Sequence, residues 1–198
     1  MCRFVESIQL NDGVFKRLDC HQERIRKAML AFYPTHKIIN LFEFLSNTSF
    51  PSEGLYKCRL VYDFEIREIV CSPYIKRDIH SLRFVETGME SHPYKMEDRN
   101  ELNAAFACRG GCDEIILVKD GLVTDTSFSN IAFYDGLNWY TPRVPLIYGV
   151  NRTRLIEQGV LIEKDIQLSE VMNFQLVSLF NAMNEFGSIE LDISSIRQ

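Results

Sequence analysis

The sequence predicts a mixed α/β (α+β) protein built as two lobes. Three observations carry that prediction. Short apolar runs, bounded by Asp-Gly pairs or by Gly and Pro, recur along the chain and read as strands. A few segments between them repeat apolar residues at helical spacing and end at Gly or Pro. The pattern also changes near residue 85, from a hairpin, two helices and long strands to a tighter alternation of strands, turns and short helices. The expected division is a small N-terminal α+β lobe over residues 1–85 and a larger C-terminal lobe over 86–198.

The elements follow in order. "FVESIQLNDGVFKRL" reads as a hairpin, because Asp12-Gly13 is a favoured two-residue turn. In "DCHQERIRKAMLAFYP", Ile25, Ala28, Met29 and Phe32 share a helix face, Pro34 ends the pattern, and Asp19 with Gln22 has capping-box spacing. A second helix is expected near "KIINLFEFLSN", two strands over "GLYKCRLVYDFEIREIVCSPY" and another at "LRFVE". "DRNELNAAFACRGG" predicts a helix closed by Gly110 and Gly111. "DEIILVKDGLVTD" predicts strand, turn and strand, and "NIAFYDGLNWYTP" repeats that plan. A helix opens after Gly149, and "SEVMNFQLVSLFNAMNEFG" reads as a helix and then a strand.

At 198 residues, 46% hydrophobic and 25% charged, the chain is long enough for a sizeable core. Its net charge of −5 and lack of a basic stripe give no signal for nucleic acid or an anionic membrane. No long apolar run suggests a membrane span, and charges interrupt the start where a signal peptide needs an apolar core, so a cytoplasmic protein is expected. The six cysteines form no paired CxxC knuckles, and no His accompanies Cys108 and Cys112. Buried free thiols are expected, and no metal site.

Four features carry chemistry. Lys95 falls between a strand and a helix. Asp125 opens the hydroxyl-rich run "TDTSFSN". "GVNR", residues 149–152, places a glycine before a helix start, and Arg24 lies on the first helix. Each has an ordinary explanation as a surface charge, turn former or loop glycine. Together they suit pyridoxal phosphate. That cofactor needs a lysine amine, an acid at its pyridine nitrogen, and a phosphate cup made from helix amides and an arginine.

The same residues resemble a known family, the class IV aminotransferases of fold type IV. "FVESIQLNDG" is similar to the family's "FET" strand and DG turn, and "LDCHQERI" to its L-x-x-H-x-x-R-L. "YKMEDR" falls where the family places its Schiff-base lysine. "GCDEIILVKDGLVTDTSFSNIAFYDG", "TPRVPLIYGVNRTRLIE" and "LVSLFNAMNEFG" follow the family's later motifs in order. The resemblance implies a two-lobed pyridoxal-phosphate fold and a homodimer acting on an amino-acid-like substrate. Lys95 would hold the cofactor and shuttle protons, and Asp125 would meet the pyridine nitrogen. Arg24 would bind the phosphate with the amides of Val150 and Asn151, and Ala182 would approach it. Asn130 is read as structural, tying the turn together.

The chain departs from the pattern in three places. Asp125 is one methylene shorter than the usual Glu. The chain begins almost at the hairpin and ends soon after "NAMNEFG", where family members usually carry more, so an exposed sheet edge or a covering dimer is expected. Asn100 replaces the ring-binding Tyr of branched-chain members, and Arg99, four residues after Lys95, matches a form seen in some lyases. The implied activity is that of 4-amino-4-deoxychorismate lyase, forming 4-aminobenzoate and pyruvate for folate synthesis. An amino-acid aminotransferase of branched-chain or D-amino-acid type is the alternative, and a non-catalytic binding protein a third. Arg59, Arg67 and Arg143 are candidates for a substrate carboxylate, and Tyr94 for the pocket wall.

Overall fold

The computed structural model describes residues 2–197. The chain divides into two compact units. The first takes the chain up to Lys76 together with Pro93–Asp98, and the second takes Arg77–His92 and the chain from Arg99 on.

The first unit is a four-stranded antiparallel sheet with two helices. Strands β1 (Phe4–Asn11) and β2 (Val14–Phe15) form the expected hairpin. Asp12 and Gly13 take φ of 47° and 75°, the left-handed pair that a two-residue turn requires. Strands β3 (Leu55–Tyr62) and β4 (Ile66–Pro73) complete the order β2-β1-β3-β4. Helix α1 (Leu18–Phe32) packs Ile25, Ala28 and Met29 with Phe4, Ile8, Leu10 and Leu60 of the sheet. Helix α2 (Leu41–Ser46) starts at Asn40, whose side chain accepts a bond from the Glu43 amide at 3.1 Å.

Two expectations fail in this unit. The Asp19–Gln22 capping box does not form, since α1 starts from Arg17 with no side-chain cap. Gln22 is drawn into a longer contact, donating to the Ile39 carbonyl (2.8 Å) and accepting from the Leu41 amide (2.7 Å). The cysteines are not all free either. Cys58 and Cys71 face each other across β3 and β4, with Cα atoms 4.0 Å apart, and are joined as a disulfide. Of the rest, Cys112 is buried but Cys2 and Cys108 are exposed.

The second unit carries two sheets. Strands β5 (Leu82–Glu86), β6 (Glu114–Lys119) and β7 (Leu122–Thr126) pair in sequence, with helix α3 (Asn100–Ala107) between the parallel β5 and β6. Strands β8 (Asn130–Tyr134) and β9 (Trp139–Pro142) lie in the other sheet. After helix α4 (Val150–Glu157), β10 (Ile162–Lys164) pairs with β9. Strand β11 (Leu176–Phe180) joins β8 and β12 (Glu190–Asp192), and β13 (Ile196–Arg197) pairs with β5. The helix expected near residue 169 is a 3-10 turn, Leu168–Asn173. Leu82, Ile116, Ile131, Phe133, Val177 and Leu179 form the main core between these strands. Among the described residues no helix is long and apolar enough to cross a membrane.

Candidate functional site

Asp125 lies near the end of β7 and is 3% exposed. Both of its oxygens are taken. Oδ1 accepts from Asn130 Nδ2 at 2.7 Å, and Oδ2 from the Ile147 amide at 2.9 Å. Asn130 Nδ2 also donates to the Ile147 carbonyl at 2.9 Å, so one side chain ties the acid to the loop before α4. Burial pushes the Asp125 pKa up to about 7, and the bonds from Ile147 and Asn130 only partly offset it.

The hydroxyls of "TDTSFSN" serve the turn. Thr126 Oγ1 accepts from the Ser129 amide at 2.9 Å and donates to the Ser129 carbonyl at 3.0 Å. Ser127 gives its amide and hydroxyl to the buried Glu114 at 3.0 and 2.8 Å. Asn181 donates to Ser129 Oγ at 3.0 Å, and its Oδ1 accepts from the amides of Met183 and Asn184. That folds the chain sharply at Ala182. Asn151 Nδ2 donates to the Asn181 carbonyl at 3.1 Å. Asp125 is thus tied through Asn130 to the loop before α4, and Asn151 on α4 to the turn at Asn181.

The start of α4 completes the candidate site. Val150, Asn151 and Arg152 are 4%, 2% and 2% exposed, yet no side chain among the described residues caps the helix. A buried, uncapped helix start leaves amides that call for an outside acceptor. Position 149 must be glycine, because a Cβ there would lie 1.9 Å from Asn130 Oδ1.

In the first unit, Lys95 is held beside β1. Its carbonyl accepts from the Val5 amide at 2.9 Å, and Met96 bridges Phe4. Arg24 lies buried on α1. Its Nε donates to Glu6 Oε1 at 2.8 Å and its Nη2 to Glu6 Oε2, so the pair does not use Nη1. His21 Nδ1 meets the same Glu6 Oε2 at 2.6 Å. Burial alone would raise the Glu6 pKa, but Arg24 and His21 hold it at about 2. Burial lowers the His21 pKa, so its ring is neutral and Nδ1–H donates to the carboxylate. His21 Nε2 and Tyr62 Oη have no hydrogen-bond partner among the described residues.

The other candidates are engaged. Tyr94 packs edge-on against Phe4 and Phe32. Arg59 pairs with Glu97 (2.8 Å) and Glu68 (3.1 Å), Arg67 with Asp63 (2.7 Å) and Glu65, and Arg143 with Asp165 (3.1 Å). Sequence reasoning missed Glu6 and His21. Glu6 had a signal: it alternates with Phe4, Ile8 and Leu10 on β1, and an acid on that face needs a buried cation.

These features have counterparts among known proteins. Residues 94–190 match the model of the amino-transferase class IV family. An uncharacterized protein of Haemophilus influenzae is 32% identical over 181 residues, which covers 90% of this chain and 96% of that one. A crystal structure from Haemophilus somnus, of a protein provisionally called a 4-amino-4-deoxychorismate lyase, is 30% identical with a TM-score of 0.85. It covers 93% of this chain and 98% of that one. A structure from Mesorhizobium loti, provisionally called an amino-acid aminotransferase, aligns over 100% of both chains with a TM-score of 0.84 at 19% identity.

Enzymes of this family use pyridoxal phosphate, an anionic ester of a basic ring. The second unit suits both ends of such a molecule, with uncapped amides for the ester and a buried carboxyl, hydrogen-bonded only to neutral donors, for the ring. The fold, the order of motifs and these relatives agree: the chain belongs to the class IV aminotransferases, a family of pyridoxal-phosphate-dependent aminotransferases and lyases.

Proposed function

We propose that this protein is a lyase of 4-amino-4-deoxychorismate type, releasing pyruvate and leaving 4-aminobenzoate. The observation that carries this reading is the 30% identity, across 98% of its length, with the Haemophilus somnus protein provisionally given that activity. Arg99, four residues after Lys95, adds support as the lyase-like form of the motif.

When bound, pyridoxal phosphate supplies an electron sink for cleavage next to the substrate amine. The roles proposed for this chain's residues follow from their chemistry. Lys95 bears the cofactor and supplies the amine that takes and returns a proton. Asp125, held in place by Asn130 and Ile147, would meet the basic ring nitrogen of the cofactor. Val150 and Asn151 offer amides to the phosphate, Arg24 offers Nη1, and Ala182 lines the approach. Tyr94 is placed as an aromatic wall. We also propose a cytoplasmic homodimer acting in folate synthesis.

The test has two arms. Protein incubated with pyridoxal phosphate and freed of excess is expected to show a visible band that borohydride bleaches and that Lys95→Ala lacks. Given 4-amino-4-deoxychorismate, it is expected to form pyruvate and fluorescent 4-aminobenzoate in equal amounts. A bound cofactor with no such products, but with amino transfer to a 2-oxo acid, would replace this reading with the aminotransferase one. No band in either protein would favour the binding-protein reading.

A further inference from the structure

The arginines named earlier for a substrate carboxylate are each neutralised by acids of their own, but one pair in the second unit shares a single acid. Arg99 is partly buried, and its guanidinium makes a single hydrogen bond, from Nη2 to the Ser127 carbonyl at 2.7 Å. No acid among the described residues pairs with it. Burial lowers its pKa, and the charge of Arg77 lowers it further. Arg77 lies over the Phe128 ring at 4.8 Å, with its side chain 55% exposed. The acid whose charge acts on Arg99 is Glu114, which is also 3.8 Å from Arg77 Nη1. Glu114 already accepts from the amides of Ile115 and Ser127 and from Ser127 Oγ. One buried carboxylate therefore serves two guanidinium groups.

The surroundings of the pair carry both signs of charge. Beside Arg77 opens a cleft of about 550 Å³, bordered by Phe106, Arg109 and the Gly110–Gly111 turn. Two acids share its edge. Asp113 Oδ2 accepts from the His80 amide and Ser81 Oγ, and Asp78 pairs with His80 at 3.0 Å. Arg109 lies 4.2 Å over the Phe106 ring and donates to the Phe106 carbonyl. Around the cleft three arginines meet three acids, so the uneven sharing is confined to Arg77 and Arg99, which have one buried carboxylate between them, beside a cleft open to solvent. Arg99 is anchored on Ser127, two residues beyond Asp125.

We propose that Arg77 and Arg99 bind a carboxylate of a dicarboxylate substrate. A planar fork of N–H donors matches a carboxylate, and an under-neutralised pair gains most from one. The inference rests on the lyase reading for its substrate, since 4-amino-4-deoxychorismate carries two carboxylates, and it makes the second one a specificity determinant.

The experiment is calorimetric titration of the cofactor-loaded protein with isophthalate and with 3-carbamoylbenzoate, which has nearly the same shape and one charge fewer. Wild type is expected to prefer isophthalate by ~10-fold or more, and Arg77→Gln and Arg99→Gln each to cut that preference about 10-fold. Arg109→Gln, which removes a guanidinium bound to its own helix, is expected to keep it. Circular dichroism checks that Arg99→Gln folds, and Arg77, being half-exposed, supplies the variant that does not depend on that outcome. Equal binding of the two probes to wild type, absence of binding, or a preference unchanged in Arg77→Gln would overturn the site. The readout is equilibrium binding, so it stands apart from turnover. A protein with the Lys95 band but no probe preference loses only this inference. A protein with the preference but no band loses the lyase reading and keeps the carboxylate site.

Discussion

Glu6 in the first unit and Asp125 in the second are both buried carboxyls, yet they titrate in opposite directions. Glu6 is 0% exposed and sits at about 2, while Asp125 is 3% exposed and sits at about 7. Burial raises both. The difference lies in their partners: a guanidinium and an imidazole for Glu6, and a side-chain amide and a backbone amide for Asp125. A carboxylate matched by a cation belongs to the framework. One bonded to neutral donors, with the charge of Arg152 a lesser influence, keeps most of the penalty of burial. The comparison separates an acid matched by a cation from one that burial leaves ready to hold its proton.

The largest effect should come from breaking the matched side. Glu6→Gln leaves Arg24 buried without its counter-ion and should cost about 3–5 kcal/mol in urea unfolding. A loss below about 1 kcal/mol would show that the pair is not what fixes α1 on the sheet.

The next effect concerns the unmatched side and has a definite sign. The folded protein holds the Asp125 proton up to about pH 7, whereas the unfolded chain releases it near its ordinary value of 3.8. Between those values the folded state binds more protons, so this group's contribution to stability falls as pH rises, by about 2 kcal/mol between pH 5 and 7. Glu6 behaves conversely: its contribution is intact above its ordinary value of 4.5 and is lost as pH falls toward 2. In cofactor-free protein, Asp125→Asn should flatten the slope between pH 5 and 7. An unchanged slope would place the titration on another group.

Asn130→Ala sharpens the same point. It should cost about 1–3 kcal/mol in thermal unfolding, since it strips bonds from Asp125 and Ile147, and should move the Asp125 titration still higher. The smallest effect belongs to Asn40→Ala, which removes the α2 cap at a cost of about 1 kcal/mol and should leave cofactor affinity untouched.

Much of this was legible from local chemistry. Asp12-Gly13 announces its hairpin because few other residue pairs accept two left-handed φ values. The polar run at 125–130 was readable as a turn for a different local reason, since its side chains hydrogen-bond the nearby backbone. What stayed hidden depends on register and on distant partners. Gln22 has capping-box spacing, but the backbone at Ile39 and Leu41 competes for it, and nothing local reports that. The disulfide turns on a single irregularity. Tyr62 pairs with Ile66, and continuing that register would set Cys58 opposite Val70. A bulge between Val61 and Tyr62 shifts the pairing by one and sets it opposite Cys71. In the site, Asp125 and the start of α4 were readable from their motifs. The charge balance around Arg77 and Arg99 required knowing which acids were already bonded.

The path of the chain around Lys95 has a practical consequence. The backbone passes from the first unit to the second at Lys76, returns for Pro93–Asp98, and leaves again at Arg99. The first unit is therefore discontinuous in sequence, and no single cut separates the two. A fragment starting at Arg77 would carry Lys95 away from the Val5 amide that anchors its backbone. A fragment ending at Lys76 would lack the lysine altogether. Genetic dissection of this protein needs a permuted chain in which residues 93–98 stay attached to the N-terminal hairpin.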